Sequence, residues 1–373
     1  MLKTKQILDL EKIDDILRLE LETIIFLGSD HEEVIRRVLT KDERILIRIA
    51  EARRSNLPED ILGSERVELF MGEEIEENFH RLISGNLNRM ALYEEKEESA
   101  FYKELKGFIP LLQFDLGKES TRREKVSGCL ITLNEQEYIG RCLDNFIELV
   151  DEVIIVDGGS TDRTLEIARG YPDVKIIHHP MPHDFSQQRN VYLREAGFEW
   201  ILSIDADEVF EPALRSALPH LTGEKEFSSY WFPRKAFYKD TRHYLTSHNS
   251  YPDYQPRLFR NQPGVRYEGR IHEKPYGMRG NQGMILDINI LHHCFLKPED
   301  EIRERFKKYD LWGGGGNHLS KLEIDYEAKA YEGPSTSNVL RVIDDHALRR
   351  LRMKLKRKSL QLKDKAANAK EVK

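Results

Sequence analysis

The sequence predicts an α/β fold with a mixed, mostly parallel sheet. Three observations carry this: strand and helix patterns alternate from Val126 onward, the strands read as nearly continuous apolar runs, and their carboxyl ends are polar or acidic. Val126 to Leu133 has a strand pattern. Ile139, Cys142, Leu143, Phe146, Ile147 and Val150 then recur at the spacing of one helix face. Glu152 to Asp157 (EVIIVD) is a strand apolar on both faces, as a buried parallel sheet requires. Thr161 to Gly170 follows as a second helix, Val174 to Ile177 as a third strand, Phe185 to Ala196 as a third helix and Trp200 to Ile204 as a fourth strand. This is a doubly wound order. After Asp207 the pattern becomes strand-rich, in SYWFPRKAFYK, YQPRLFR, VRYEGRIHE and ILDINILHH, which fits a mixed sheet with an acceptor-side lobe.

The flanks read differently. Residues 1–120 place apolar residues such as Ile13, Leu17, Ile24 and Leu27 at helical spacing, with breaks near Gly28-Ser29 and Leu57-Pro58, so a helical N-terminal domain suited to interaction or oligomerisation is expected. The charged run Glu94 to Glu98 and the stretch Lys118 to Lys125 mark its boundary. A catalytic domain over 121–298 and a helical C-terminal extension over 299–373 complete the division. The first 120 residues carry 18 Lys and Arg against 27 Asp and Glu, and the last 33 carry 12 against 4, so the two ends have opposite electrostatic characters. In the tail, Leu348, Leu351, Leu355 and Leu362 share a helical face among basic residues. Such a helix fits anionic lipid, and it equally fits packing on its own domain or a dimer mate.

Composition narrows the function classes. A net charge of −7 gives no whole-chain case for nucleic acid. Cys129, Cys142 and Cys294 are widely spaced with no CxxC pair, which suggests neither a disulfide framework nor a zinc knuckle. With no apolar leader and no run near ~20 apolar residues, a cytoplasmic chain, peripheral at most to the inner membrane face, is expected.

In open α/β sheets ligands bind beyond the carboxyl ends of the strands. Asn134-Glu135 ends the first strand, Asp157 the second and Asp205-Ala206-Asp207 the fourth. One such Asp is ordinarily a turn or cap residue; three along one edge suit a nucleoside diphosphate with a hard divalent cation. Neither GxxxxGK[ST] nor GxGxxG follows a strand. Arg189 shares a helical stripe with Phe185, Tyr192 and Ala196, which turns a cation inward, to a buried ion pair or to a substrate.

The runs VSGCLITLNEQEYIGRCLDNF, EVIIVDGGSTDRT, DFSQQRN and WILSIDADE, in this order and spacing, resemble the family 2 glycosyltransferases of the GT-A fold. QPRLFR, YEGRIHEKP and LHHCF are similar to the subgroup of lipopolysaccharide-core and bacteriocin peptide S-glycosyltransferases. The resemblance implies an inverting transfer from a nucleotide sugar, by family frequency UDP-linked, to a glycan, lipid-linked or peptide acceptor, assisted by Mn2+ or Mg2+. It implies nucleoside contacts for Thr132, Asn134 and Glu135, a base contact for Asp157, nucleotide or diphosphate contacts for Asp162 and Arg189, and a ribose and metal role for Asp205. Asp207 is the implied metal ligand. His293 completes the metal shell, with His292 as the alternative, since adjacent strand residues face opposite sides. Glu273 is the expected base, with His272 beside it as the other candidate; Glu273 could instead pair with Arg270 or only orient the acceptor. Two readings compete: a sugar nucleotidyltransferase, which would bring a Gly-rich triphosphate loop that LITLNEQEY lacks, and a non-catalytic nucleotide-binding interaction protein.

Overall fold

The computed structural model describes residues 23–27, 32–41, 46–51, 57–71, 90–94, 112–118, 124–247, 250–313, 317–336 and 338–344. The chain divides at Gln113/Phe114 and at Val342/Ile343 into two compact units. The basic tail over 346–362 lies outside the described residues.

The first unit is not the helical domain that the spacing suggested. Its described elements are β1 (Thr23–Leu27), α1 (Glu32–Lys41), β2 (Leu46–Glu51), α2 (Glu59–Leu62), β3 (Val67–Met71) and β4 (Met90–Glu94). The strands form one parallel sheet in the order β3-β2-β1-β4. Ile24 and Leu27 sit in the uninterrupted run TIIFL, whose β-branched and aromatic residues favour a pleated, half-buried surface over a helix. Phe26 and Ile47 of the sheet pack with Val34, Ile35 and Val38 of α1 in the unit's core.

The second unit follows the predicted alternation closely. After the short β5 (Leu112–Asp115) come β6 (Val126–Thr132), α3 (Ile139–Phe146), β7 (Glu152–Asp157), α4 (Thr164–Ala168), β8 (Val174–His178), α5 (Phe185–Glu195) and β9 (Trp200–Asp205). Strands β8, β7, β6 and β9 are parallel neighbours in that order. Every residue of β6 is buried, as expected for a strand with helices on both faces. Asp184 caps α5, its carboxylate accepting from the backbone N–H of Ser186 (3.0 Å) and Gln187 (3.3 Å).

Beyond β9 lie β10 (Glu208–Phe210), α6 (Leu214–Gly223), the long β11 (Phe227–Tyr238), β12 (Asp240–Leu245), β13 (Asp253–Arg260), β14 (Arg266–Glu268), β15 (Lys274–Tyr276), β16 (Asn281–Ile285) and β17 (Ile290–Phe295). Strand β13 pairs antiparallel with both β9 and β11, so the sheet becomes mixed there. β10 pairs antiparallel with β17, setting Glu208 opposite His292. The C-terminal part is not helical throughout: α7 (Glu299–Leu311) is followed by strands β18 (Ala328–Ala330) and β19 (Val339–Asp344), where the β-branched Val339, Val342 and Ile343 suit a strand. No helix among the described residues is long and apolar enough to cross a membrane.

Gly128 shows how tightly α3 is seated on β6. A Cβ there would stand 2.6 Å from Cε1 of Phe146 and 2.8 Å from Cγ2 of Val150. Gly128→Ala should therefore lower stability by about 1–3 kcal/mol through overpacking. All three tryptophans, Trp200, Trp231 and Trp312, lie in the second unit, so urea unfolding followed by their fluorescence reads this unit. An unshifted midpoint would contradict the packing described.

Candidate functional site

A cavity of about 1110 Å³ opens at the carboxyl ends of β6 and β9 and is walled on its other side by the 271–274 loop, β17 and α7. The loops after β6 and β7 are laced together at one end. Asn134, held at a left-handed φ of 55°, accepts the Thr161 N–H at Oδ1 (2.8 Å) and donates its own N–H to Ser160 Oγ (3.0 Å). Asp162 accepts from the Gln136 N–H (3.1 Å) and from the N–H and hydroxyl of Thr164. Burial would push its carboxyl up, but these donors hold it below the ordinary value. Thr132, Asn134, Glu135 and Asp162 all line the cavity. The hydroxyl of Thr132 is buried with no hydrogen-bond partner.

Asp157 is placed elsewhere. It is fully buried, does not line the cavity, and accepts from the N–H groups of Gly159 (2.9 Å) and Ser160 (3.1 Å) while meeting His178 Nδ1 at 3.1 Å. Its visible work is to shape the loop that carries Thr161 and Asp162.

Arg189 points inward from α5, as its stripe predicted, and resolves into a buried ion-pair hub. Its Nη2 donates to Asp205 Oδ1 (2.6 Å), its Nε donates to Glu273, and Nη1 approaches Ser203 Oγ (3.3 Å). The guanidinium also lies 5.5 Å from the ring centre of Tyr267. Arg257 takes the other oxygen of Asp205 (2.5 Å) and both oxygens of Glu208. Burial opposes ionisation of Asp205, and Arg257 and Arg189 overcome it, holding the carboxyl well below the usual range.

Asp207 is likewise buried among cations: Lys297 Nζ at 3.3 Å, Arg305 Nη1 at 3.1 Å and His292 Nε2 at 3.4 Å. Burial would favour its neutral form, but His292 and Lys297 keep it ionised. Glu135 shares two of these partners, accepting from Lys297 (2.5 Å) and Arg305 (3.0 Å). Burial, joined by the nearby Asp207, nevertheless raises its carboxyl above the ordinary value.

Of the two histidines, His292 is the one at the Asp207 carboxylate. His293 faces the opposite side of β17: its Nδ1 meets the backbone oxygen of Asp207 (3.1 Å), and its ring packs between Tyr138 and Phe237. The strand's twofold alternation decides this, and chain order alone could not. Among the described residues no group of three or more His, Cys, Asp or Glu side chains is arranged to hold a metal ion. Two donors do fit one: a carboxylate oxygen of Asp207 and an imidazole nitrogen of His292, 3.4 Å apart, can share a divalent cation. Asp205 does not fit, because both its oxygens are held by arginines, which cannot ligate a cation, whereas Asp207 Oδ1 meets a histidine, which can.

The 269–273 loop is strained and anchored. Gly269 has φ 102°, His272 has φ 60°, and the Arg270 carbonyl accepts the N–H of Phe185 at the start of α5 (2.9 Å). Glu273 faces Arg189 rather than Arg270. Exposed His272 lines the cavity, and its Nε2 lies 3.0 Å from Nε2 of His318. Phe185, Tyr309 and Trp312 form an edge-to-face aromatic wall beside it.

Sequence reasoning missed Lys297, Arg305, Tyr309, Trp312 and His318, all of them beyond the strand-end carboxylates. A signal existed. Glu301, Arg305, Tyr309 and Trp312 recur at three- and four-residue spacing on one stripe of α7, and all four line the cavity.

Residues 127–285 match the model for Glycosyl transferase family 2. The SPbeta prophage-derived glycosyltransferase SunS of Bacillus subtilis (strain 168) is 25% identical over 228 residues, covering 57% of this chain and 52% of SunS. The chain thus spans about half the length of that relative. The lipopolysaccharide core biosynthesis glycosyltransferase LpsC of Rhizobium meliloti (strain 1021) is 30% identical over 220 residues, 56% of this chain and 74% of LpsC. Among solved structures, S. aureus TarS 1-349 in complex with UDP aligns at 22% identity over 37% of this chain and 47% of that one, with a TM-score of 0.29.

The Arg189 hub yields a stability prediction. Arg189→Met should destabilise the second unit by roughly 3–5 kcal/mol, because Asp205 and Glu273 are left facing each other without their shared cation. Urea titration followed by tryptophan fluorescence measures it. A loss under about 1 kcal/mol, the size of a surface pair, would show that the hub is not a buried interaction.

Proposed function

This chain belongs to glycosyl transferase family 2, and from that premise we propose that it moves a sugar from a nucleoside diphosphate sugar, UDP-linked, to an acceptor nucleophile by a single inverting displacement. The observation that carries the reading is the convergence on one cavity of strand-end carboxylates and the cations Lys297, Arg305 and Arg257. A glycan, a lipid-linked sugar and a peptide are the acceptor classes it accommodates.

Thr132, Asn134, Glu135 and Asp162, which line the cavity, receive the nucleoside. Asp157 serves them indirectly through the loop it folds. Lys297 and Arg305 release part of their bonding to Glu135 and Asp207 and turn it on the diphosphate, whose growing negative charge they offset as the glycosidic bond lengthens. Asp207 and His292 would hold a divalent cation, Mn2+ or Mg2+, and it would supply further charge neutralisation at the leaving diphosphate. Arg189 fixes Asp205 and Glu273, so the ribose side and the acceptor side keep a constant separation. The base lies in the 269–273 loop. Glu273 is already engaged by a guanidinium, whereas His272 is exposed in the cavity, so His272 takes the proton and Glu273 orients.

The reading is tested by a donor screen over UDP-, GDP- and dTDP-sugars with Mn2+ or Mg2+, measuring the product released. Nucleoside diphosphate is expected; pyrophosphate would make the chain a nucleotidyltransferase, and intact donor throughout would leave only binding. Asp207→Asn should cut turnover by about 10²–10³-fold and abolish the metal dependence of UDP binding in calorimetry. Turnover within twofold of wild type in that variant would remove Asp207 from the mechanism.

A further inference from the structure

His272 does not stand alone. Its Nε2 is 3.0 Å from Nε2 of His318, and Nδ1 of His318 is 2.8 Å from Oδ1 of Asp310. The two rings lie 5.3 Å apart, tilted by 23°. His318 is almost wholly buried and Asp310 is partly exposed. The same carboxylate accepts the backbone N–H of His318 (2.7 Å) and of Leu319 (3.2 Å), locking the turn after α7 onto the helix's end. Asp310 and His318 both lie outside the 127–285 family match, whereas His272 lies inside it.

We infer that Asp310 and His318 are positioning residues that set the tautomer and orientation of His272, so that the segment after the family core completes the catalytic centre. The inference rests on the transfer proposed above.

The chemistry follows from counting protons. Asp310 is held in its ionised form by the His318 N–H and then by the His318 ring and the Leu319 N–H, so it can only accept. Nδ1 of His318 is then the donor to Asp310, and in the proposed relay its Nε2 accepts. The 3.0 Å contact consequently needs the proton on Nε2 of His272, which leaves Nδ1 of His272 as the free base. The left-handed φ of 60° at His272 is a strained conformation, and its contact with a buried ring helps hold it there.

In the reaction the acceptor's O–H or S–H attacks the anomeric carbon. The bond from that carbon to the diphosphate oxygen breaks with its electron pair leaving on the nucleoside diphosphate. The acceptor's proton passes to Nδ1 of His272, and the resulting imidazolium is stabilised by Asp310 through His318. The other charged groups facing His272 are Lys321 and Arg234, which disfavour its cation, and Asp253, which favours it. Partial burial, followed by Lys321 and His318, lowers the His272 pKa from the ordinary histidine value, so the ring is neutral and ready to accept at pH 7.

The test uses the full chain with UDP-glucose, UDP-galactose and UDP-N-acetylglucosamine, Mn2+ or Mg2+, and transfer to water read as UDP release. His318→Phe should lower kcat by about 10²-fold with the donor KM within threefold. His318→Gln, whose amide can accept from His272 and donate to Asp310, should recover at least tenfold of that loss. Asp310→Asn should lower kcat and move the acid limb of the kcat/KM profile to lower pH, because removing the anion disfavours the His272 cation. Wild-type kcat in His318→Phe, or an unmoved acid limb in Asp310→Asn, overturns the relay. A loss in His318→Gln equal to that in His318→Phe also overturns it, as the mark of a merely structural role. If His318→Phe fails to fold, the Gln and Asn variants decide alone. Absence of UDP release by the wild type with all three donors is a different failure, and it overturns the transfer itself.

Discussion

The centre of the molecule depends on one buried cation. Arg189 enters from α5 and bridges Asp205, at the end of β9, to Glu273, in the loop beyond β14. Burying a guanidinium is affordable only when its partners are charged and close, and burying those carboxylates is tolerable only while it is present. Each of the three therefore fixes the others. The tie also runs between a parallel strand end and an irregular loop, and it thereby sets the width of the cavity between them. The Arg270 carbonyl bond to the N–H of Phe185 adds a second attachment of the same loop to the same helix.

Around this hub the cavity has two chemically opposite walls. The strand ends present Glu135, Asp205 and Asp207, with Glu208 buried behind them, and cations on later elements answer these carboxylates: Arg234 on β11, Arg257 on β13, Lys297 after β17 and Arg305 on α7. These charges satisfy one another. A nucleoside diphosphate and a divalent cation would divide the same network differently, the phosphates drawing on the arginines and lysine while the metal draws on Asp207 and His292. A mutually neutralised site of this kind keeps many charges in a low-dielectric place at tolerable cost, and it leaves them preorganised for charge that appears only on binding or reaction. α7 is as much a part of the site as the strands, though it follows the region matched by the family model.

Parts of this were plain in the chain. The parallel strands β6, β7 and β9 and the helices α3 and α5 announce themselves because burial on both faces demands continuous apolar runs and burial on one face demands a stripe. Arg189 was legible as an inward cation for the same reason. The first unit was misread because TIIFL also meets the helical template over so short a window; its β-branched content was the better guide. Asp157 shows the limit of motif transfer: its position at a strand end is as expected, but its oxygens are spent on its own loop.

The sequence by itself determined the α/β order of the second unit and the placing of Asn134, Glu135, Asp157, Asp205 and Asp207 at strand ends along one sheet edge, because periodicity and strand polarity are local properties of the chain. Only the tertiary structure decided that His292 rather than His293 meets Asp207, that Glu273 belongs to Arg189, and that Asp310 and His318 stand behind His272. Those pairings join residues 84 positions apart for Arg189 and Glu273 and 46 for His272 and His318. Which charge answers which depends on the register of β10 against β17 and the docking of α7, and both are set by packing between distant segments rather than by the residues on either side.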